Sequence, residues 1–243
     1  MNCKDKVIIV TGGATRLGGA MSSALARQGA NVVVHYHRGA DAAQAIVGEC
    51  QRAGGTGLAV EADFLDPVAA AKNVVSRAME HFGRVDGLVN SASIFEPSSL
   101  AQTTEDIFDR HMAVNLKASV FMCQAFAGVV ESNQRGHIIN IADWRATRPI
   151  PGHLTYTLTK SGLVSLTRLL AQELAPNIQV NCICPGAILP PAGVDNSEAD
   201  QLSARNVLGR MGGPREVTET LLYLLQSDFI TGEVIHVTGG ENL

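Results

Sequence analysis

Short apolar runs alternate along the chain with longer stretches of helical period. KVIIVTGG is a continuous apolar run that stops at glycines, as a buried strand does. LGGAMSSALARQGA then repeats apolar residues at helical spacing and ends at Gly29. NVVVHYHRG predicts a second strand, DAAQAIVGECQRAGG a second helix and TGLAVEAD a third strand. DPVAAAKNVVSRAMEHFG predicts a helix with Asp66 as N-cap and Pro67 in the first helical position. VDGLVNSAS predicts the fourth strand, a long helix runs from about Glu105 to Val130, and GHIINIAD predicts the fifth strand. A helix carrying Tyr156 and Lys160 follows, then the strand IQVNCICPG, the helix REVTETLLYLLQ and a last strand, EVIHVTGG. This alternation predicts an α/β fold, a doubly wound parallel sheet with helices on both faces. No linker or internal repeat interrupts it, so residues 1–243 are expected to form a single domain. Ala187 to Leu208 is the one long irregular stretch; it is expected to be a lid over a site, the alternative being a loop that is merely mobile.

Composition narrows the functional classes. The chain is 46% hydrophobic and 17% charged, with a formal net charge of -4 and no run of Lys or Arg, which disfavours a nucleic-acid partner. No apolar run is long enough to span a membrane, and MNCKDKVIIVTGG lacks the pattern of a signal peptide. Cys3, Cys50, Cys123, Cys182 and Cys184 are odd in number and contain no Cys-x-x-Cys pair. Free thiols in a reducing cytoplasm are expected, with no metal site.

The candidate chemistry begins at VTGGATRLGGA, residues 10 to 20, a glycine-rich turn between the first strand and the first helix. Glycines let backbone N–H groups approach a phosphate, and the helix N-terminus favours its charge. The turn is not G-x-G-x-x-G, so tight strand–helix packing is the alternative reading. At the end of the second strand an NAD site usually carries an acid for the ribose 2′-hydroxyl. Here the chain reads His35, Tyr36, His37, Arg38, Gly39, and the first acid is Asp41. Arg38, His37 and Arg16, converging on one spot, suit the 2′-phosphate of NADP; solvated charges are the alternative. Farther on, Tyr156 and Lys160 stand four apart, one above the other on a helix face, with Asp143 upstream. A phenol beside an ammonium is a phenol whose proton can be used.

Together these residues resemble the short-chain dehydrogenase/reductase family over nearly the whole length. TGGATRLG, NSAS at 90–93, Asn115, Tyr156-x-x-x-Lys160, CPG at 184–186 and the terminal ITGEVIHVTGG stand in the family's order. The resemblance implies a Rossmann-type domain, commonly a homotetramer, that binds a nicotinamide cofactor. It places the cofactor against Gly12, Thr15, Arg16, Leu17, His37, Arg38, Gly39, Asp63, Phe64, Asn90, Ser91, Ala92, Pro185, Gly186 and Ile188, with Tyr156 and Lys160. It implies that Lys160 holds the nicotinamide ribose and lowers the phenol's pKa. By the same resemblance, Asn115 bends its helix and holds a water behind Lys160, and Asp63 contacts the adenine, unless Asp63 only shapes a turn.

Two residues depart from the common family pattern. Arg16 stands where Gly is usual, and Asp143 where Ser is usual. Both departures are similar to the pteridine reductases, which reduce biopterin-like and folate-like rings with NADPH. HYHRG resembles their His-Tyr-His-Arg-Ser segment, with Gly39 lacking the hydroxyl. NSASIFEPSSL resembles the segment whose aromatic residue stacks on the pterin, so Phe95 is expected in that role, core packing being the alternative. An ionised Asp143 only accepts hydrogen bonds and repels charge on a carbonyl oxygen, which suits an N–H-rich aminopterin better than a ketone. The expected catalytic set is therefore Asp143, Tyr156, Lys160 and Asn115, with Arg16, Phe95, Asp143 and Tyr156 around a small pterin or folate-like substrate. A carbonyl or 3-oxoacyl-acyl-carrier-protein reductase, or a non-catalytic NADP-binding regulator, are the alternatives, as is an Asp143 that merely caps a turn.

Overall fold

Each buried apolar run becomes a strand of one seven-stranded parallel sheet, ordered β3-β2-β1-β4-β5-β6-β7. The structure is a computed structural model and describes residues 1–131, 134–189 and 206–243. The strands are β1 (Val7–Val10), β2 (Asn31–Tyr36), β3 (Gly57–Glu61), β4 (Gly87–Asn90), β5 (Gly136–Ile141), β6 (Ile178–Pro185) and β7 (Val234–Val237). The helices are α1 (Arg16–Arg27), α2 (Ala40–Arg52), α3 (Pro67–Phe82), α4 (Glu105–His111), α5 (Ala118–Ala127), α6 (Leu154–Glu173) and α7 (Pro214–Gln226).

The period of two in the strands sorts the layers. Ile8, Val10, Val32 and Val34 face Met21 and Leu25 of α1, Ile46 of α2 and Leu221 of α7. Val7, Ile9 and Val33 face the other way, onto Val74 and Val75 of α3 and Met122 and Phe126 of α5. A parallel strand covered on both faces has no polar side to show, which is why β1 reads as an unbroken apolar run. Asp66 caps α3 by accepting from the Ala69 N–H at 3.5 Å, and Pro67 takes the first helical position, as expected.

Strands after β1 are laid down toward β3, whereas β4 onward go the opposite way. The strand order therefore reverses between β1 and β4, and the carboxyl ends of these two strands part there to leave a crevice.

Two boundaries differ from expectation. The predicted helix from Glu105 to Val130 is broken by a π-helical segment, Met112–Lys117, and stops at Ala127. One residue is inserted into the helical ladder there, and an apolar period does not register such an insertion. The expected lid, Ala187 to Leu208, falls mostly at positions 190–205, outside the described residues.

Candidate active site

The crevice is built from the glycine turn outward. Gly12 has φ +62, and an added Cβ there would lie 3.0 Å from the Ala92 Cα, so the turn is pressed against the end of β4. Thr11 fixes this approach, its Oγ1 accepting from the Ser91 N–H at 2.9 Å and the Ala92 N–H at 3.0 Å. From the other side, Nδ1 of buried His35 accepts from the Gly12 N–H at 3.1 Å, and its Nε2 donates to the Ala62 carbonyl at 3.1 Å. Burial pushes the His35 imidazole down to about 4, so it is neutral and able to accept. It also stacks on Phe64 with centroids 4.2 Å apart. His35, not only the expected His37, therefore shapes the glycine turn; the alternation of β2 turns it into the protein, a signal present in the sequence.

Beyond the glycine turn lies a cleft of about 430 Å³ lined by His37, Arg38, Asp63 and Phe64 with Gly12 and Ala92. Asp63 serves its turn by accepting from the Leu65 N–H at 2.9 Å and also faces His37 at 3.4 Å. Gly39 has φ +87 directly after Arg38 and leads into α2, so a left-handed residue is needed where a serine is expected from the pteridine reductases.

A second cleft, of about 370 Å³, is lined by Thr15, Arg16, Leu17, Ser91, Phe95, Asp143, Tyr156, Lys160, Pro185, Gly186 and Ile188, and it shares Gly12 and Ala92 with the first. Here one expectation is corrected. Arg16 does not join Arg38 and His37; it lines the cleft of Asp143 and Tyr156. It stands at the start of α1 under the crevice with φ +51, while His37 and Arg38 follow β2, one strand away. The Asn90 side chain turns into the core and leaves the backbone of this residue at the end of β4. Its Nδ2 donates to Asn140 Oδ1 at 2.9 Å and Cys123 Sγ at 3.3 Å inside the core, because alternation along β4 turns it inward.

Asp143 follows β5, and Tyr156 and Lys160 lie in the first turns of α6. The Tyr156 hydroxyl donates to Asp143 Oδ2 at 3.0 Å. Burial, then the charge of Asp143 and this bond, raise the phenol well above its ordinary range. Lys160 is buried, its Nζ donates to the Ile141 carbonyl at 2.9 Å, and it lies 5.5 Å from the Tyr156 ring centroid. Burial lowers the ammonium to about 8, which leaves it protonated at neutral pH. Asp143 also caps the short turn at Trp144–Ala146, accepting from the Arg145 N–H at 2.8 Å, so both readings of this residue hold geometrically. Phe95 is 46% exposed, which removes core packing as its role. One neighbour, His153, stacks on it at 4.1 Å, and Tyr156 meets it edge-on at 4.7 Å. Asn115 sits in the π segment, and its amide binds the Ile94 backbone on both sides. Oδ1 accepts from the Ile94 N–H at 2.8 Å and Nδ2 donates to the Ile94 carbonyl at 3.0 Å. Arg145 was not singled out by sequence, yet its Nη1 lies 3.3 and 3.4 Å from the two Asp143 oxygens.

The sequence matches, over residues 12–242, a family profile described as Enoyl-(Acyl carrier protein) reductase. It is 36% identical over 248 residues to subunit BbsD of (2S)-[(R)-hydroxy(phenyl)methyl]succinyl-CoA dehydrogenase of Thauera aromatica, covering 100% of this chain and 99% of that one. It is also 32% identical to the 3-oxoacyl-[acyl-carrier-protein] reductase FabG of Staphylococcus epidermidis, covering 97% and 98%. The chain belongs to the short-chain dehydrogenase/reductase family. Among solved structures, the FolM alternative dihydrofolate reductase 1 of Brucella canis, complexed with NADP, is similar with a TM-score of 0.94 and 33% identity over 99% of this chain and 95% of that one. This short-chain reductase is an NADP-dependent oxidoreductase.

The residues present fit that cofactor. The Gly12 cradle admits a close backbone approach, and the basic pair His37 and Arg38 replaces the acid that an NAD site carries after β2. No described helix is long and apolar enough to cross a membrane, and no metal-binding cluster occurs among the described residues.

Proposed function

We propose that this protein is an NADPH-dependent reductase of a pterin or folate-like ring, of the dihydropterin-to-tetrahydropterin type, with residues 1–243 as one catalytic domain. The observation that carries the reading is the bond from the Tyr156 hydroxyl to Asp143, beside the exposed ring of Phe95. Where a ketone reductase of this family offers a neutral hydroxyl donor, this site offers a carboxylate. A carboxylate opposes negative charge growing on a carbonyl oxygen but accepts from the amino and N–H groups of an aminopterin. NADPH, when bound, supplies the hydride. Tyr156 gives its proton to the ring nitrogen beside the carbon that receives the hydride, and Asp143 keeps the phenol protonated until then. Lys160 holds the nicotinamide ribose and supports the phenolate that remains. Phe95 offers a stacking face, and Arg16 lies at the junction of cofactor and substrate. The similarity to the Brucella canis alternative dihydrofolate reductase supports this reading.

The second reading, a carbonyl or 3-oxoacyl reductase, is supported by the similarity to FabG and by the family description. A homotetramer is part of either reading, with Phe108 of α4, Val120 of α5 and Leu158 of α6 exposed and available for pairing. The deciding experiment is loss of NADPH absorbance with dihydrobiopterin, dihydrofolate, a 3-oxoacyl thioester and simple ketones, for the native protein and Asp143→Ser. Dihydropterin turnover that Asp143→Ser weakens, and weakens more as pH rises, is expected, because the variant phenol ionises earlier. A native preference for ketones, with a ratio Asp143→Ser leaves unchanged, would replace the pterin reading with the second one.

A further inference from the structure

Asp143 places a negative charge against the proton donor, and its surroundings contain a residue that answers it. Arg145 and Asp143 are each only 15% exposed in their side chains. Every side-chain hydrogen bond that Arg145 makes goes to Asp143, from Nη1 to Oδ1 at 3.3 Å and to Oδ2 at 3.4 Å. Its Nε is buried with no partner among the described residues. The rest of the guanidinium lies against rings, 4.9 Å from the Trp144 centroid and 5.8 Å from that of Phe95. This partly buried guanidinium is packed between two rings and aimed at the one carboxylate that takes all its side-chain hydrogen bonds.

We propose that Arg145 is a positioning residue that acts as the counter-ion of Asp143, offsetting the carboxylate so that Tyr156 can release its proton. Asp143 by itself makes the phenol harder to ionise, and so a poorer acid once substrate is bound. The guanidinium, two bonds away through the same carboxylate, pulls in the opposite direction, and its charge opposes the upward shift that burial and Asp143 impose on Tyr156. Other groups also face the phenol, and Lys160 supports the phenolate from the ring side, but the guanidinium is the group seen bonded to Asp143 by its side chain. Lys160 lies 5.5 Å from the ring centroid and donates to Ile141, His153 stands 6.5 Å away, Cys184 adds to the upward shift, and Arg16 and Glu241 line a cleft with Asp143, Arg145 and Tyr156. The backbone N–H of Arg145 anchors Asp143 Oδ1 whatever side chain stands there, so replacing the side chain removes the charge without releasing the carboxylate.

The inference rests on Tyr156 being the acid proposed above, not on which substrate receives the proton. It is tested with Arg145→Met, Arg145→Gln and Arg145→Lys, each also combined with Asp143→Asn, on whichever pterin or ketone the native protein reduces. NADPH affinity is followed separately by fluorescence. Arg145→Met and Arg145→Gln are expected to lower kcat about tenfold, a fraction of the roughly 10²–10⁴ a positioned acid supplies. They should move the alkaline limb of the kcat profile to higher pH and leave NADPH binding intact, with Arg145→Lys restoring most of the rate. In the Asp143→Asn background the same changes should alter kcat little, because there is no charge left to offset. Equal losses in both backgrounds, or an alkaline limb that stays in place, would overturn the proposal. The two neutral variants guard against a single misfolded one. A protein that reduces only ketones would end the pterin reading while leaving this comparison intact.

Discussion

At the scale of single residues, the site combines substitutions that the sequence displays with one it conceals. Asp143, Arg16 and Phe95 could be picked out because each differs from an ordinary family position or sits in a recognisable segment. Arg145 could not: an arginine two residues after an aspartate in a turn reads as a solvated charge, and only the packing against Trp144 and Phe95 buries it. The convergence expected of Arg16 with Arg38 failed for a related reason. Both are cations at turns after neighbouring strands, and only the packing shows that their side chains line different clefts. Two outcomes are expected at this scale. Tyr156→Phe should leave NADPH binding nearly intact and slow turnover by roughly 10²–10⁴-fold; single-turnover NADPH oxidation with a separate binding titration checks it. Arg38→Asp should narrow or reverse the preference for NADPH over NADH, since a carboxylate repels the 2′-phosphate and accepts from a free 2′-hydroxyl. Ratios of kcat/KM for the two cofactors measure this, and an unchanged ratio would remove Arg38 from the phosphate site.

At the scale of elements, the strands and most helices follow from the apolar period, since burial on both faces leaves a strand little freedom of composition. The π segment at Met112–Lys117 does not follow, because the apolar pattern continues through it. Its function is positional. It presents Asn115 to both backbone polar groups of Ile94, and Ile94 precedes Phe95, so the segment ties the long helical stretch to the wall of the cleft that holds Asp143 and Tyr156. Asn115→Leu should leave the Ile94 N–H without its acceptor at a cost of about 1–3 kcal/mol. For a chain of this size each kcal/mol lowers Tm by about 2–4 °C. Calorimetry is the check, and kcat should fall with Tm, because the ring of Phe95 loses its support. Normal stability and normal turnover in this variant would show that the π segment needs no such tie.

At the scale of the whole molecule, buried ionisable groups set the pH range in which the fold is stable. Burial pushes both His35 and His137 down to about 4 from the ordinary 6.5. Between those values the unfolded chain takes up protons that the native chain refuses, so stability is complete above about 6.5 and is lost as pH falls toward 4. Each imidazole can account for about 3 kcal/mol at the acid end. Lys160 works in the opposite sense: it is lowered to about 8, so its burial cost is present below that value and eases as pH rises toward 10.5. Urea unfolding at pH 7, 5.5 and 4.5 should show a steady loss, and His137→Gln should flatten it; a curve independent of pH in that range would contradict the burial of both imidazoles. The sheet order has a different consequence, for how the chain is made. β1 is synthesised first and lies in the middle of the finished sheet, between β2 and β4. Its second partner arrives only with residues 87–90, after β2, β3 and three helices have been produced. Until then a growing chain carries an unpaired apolar edge at Val7–Val10, the kind of edge that favours aggregation in a half-built sheet.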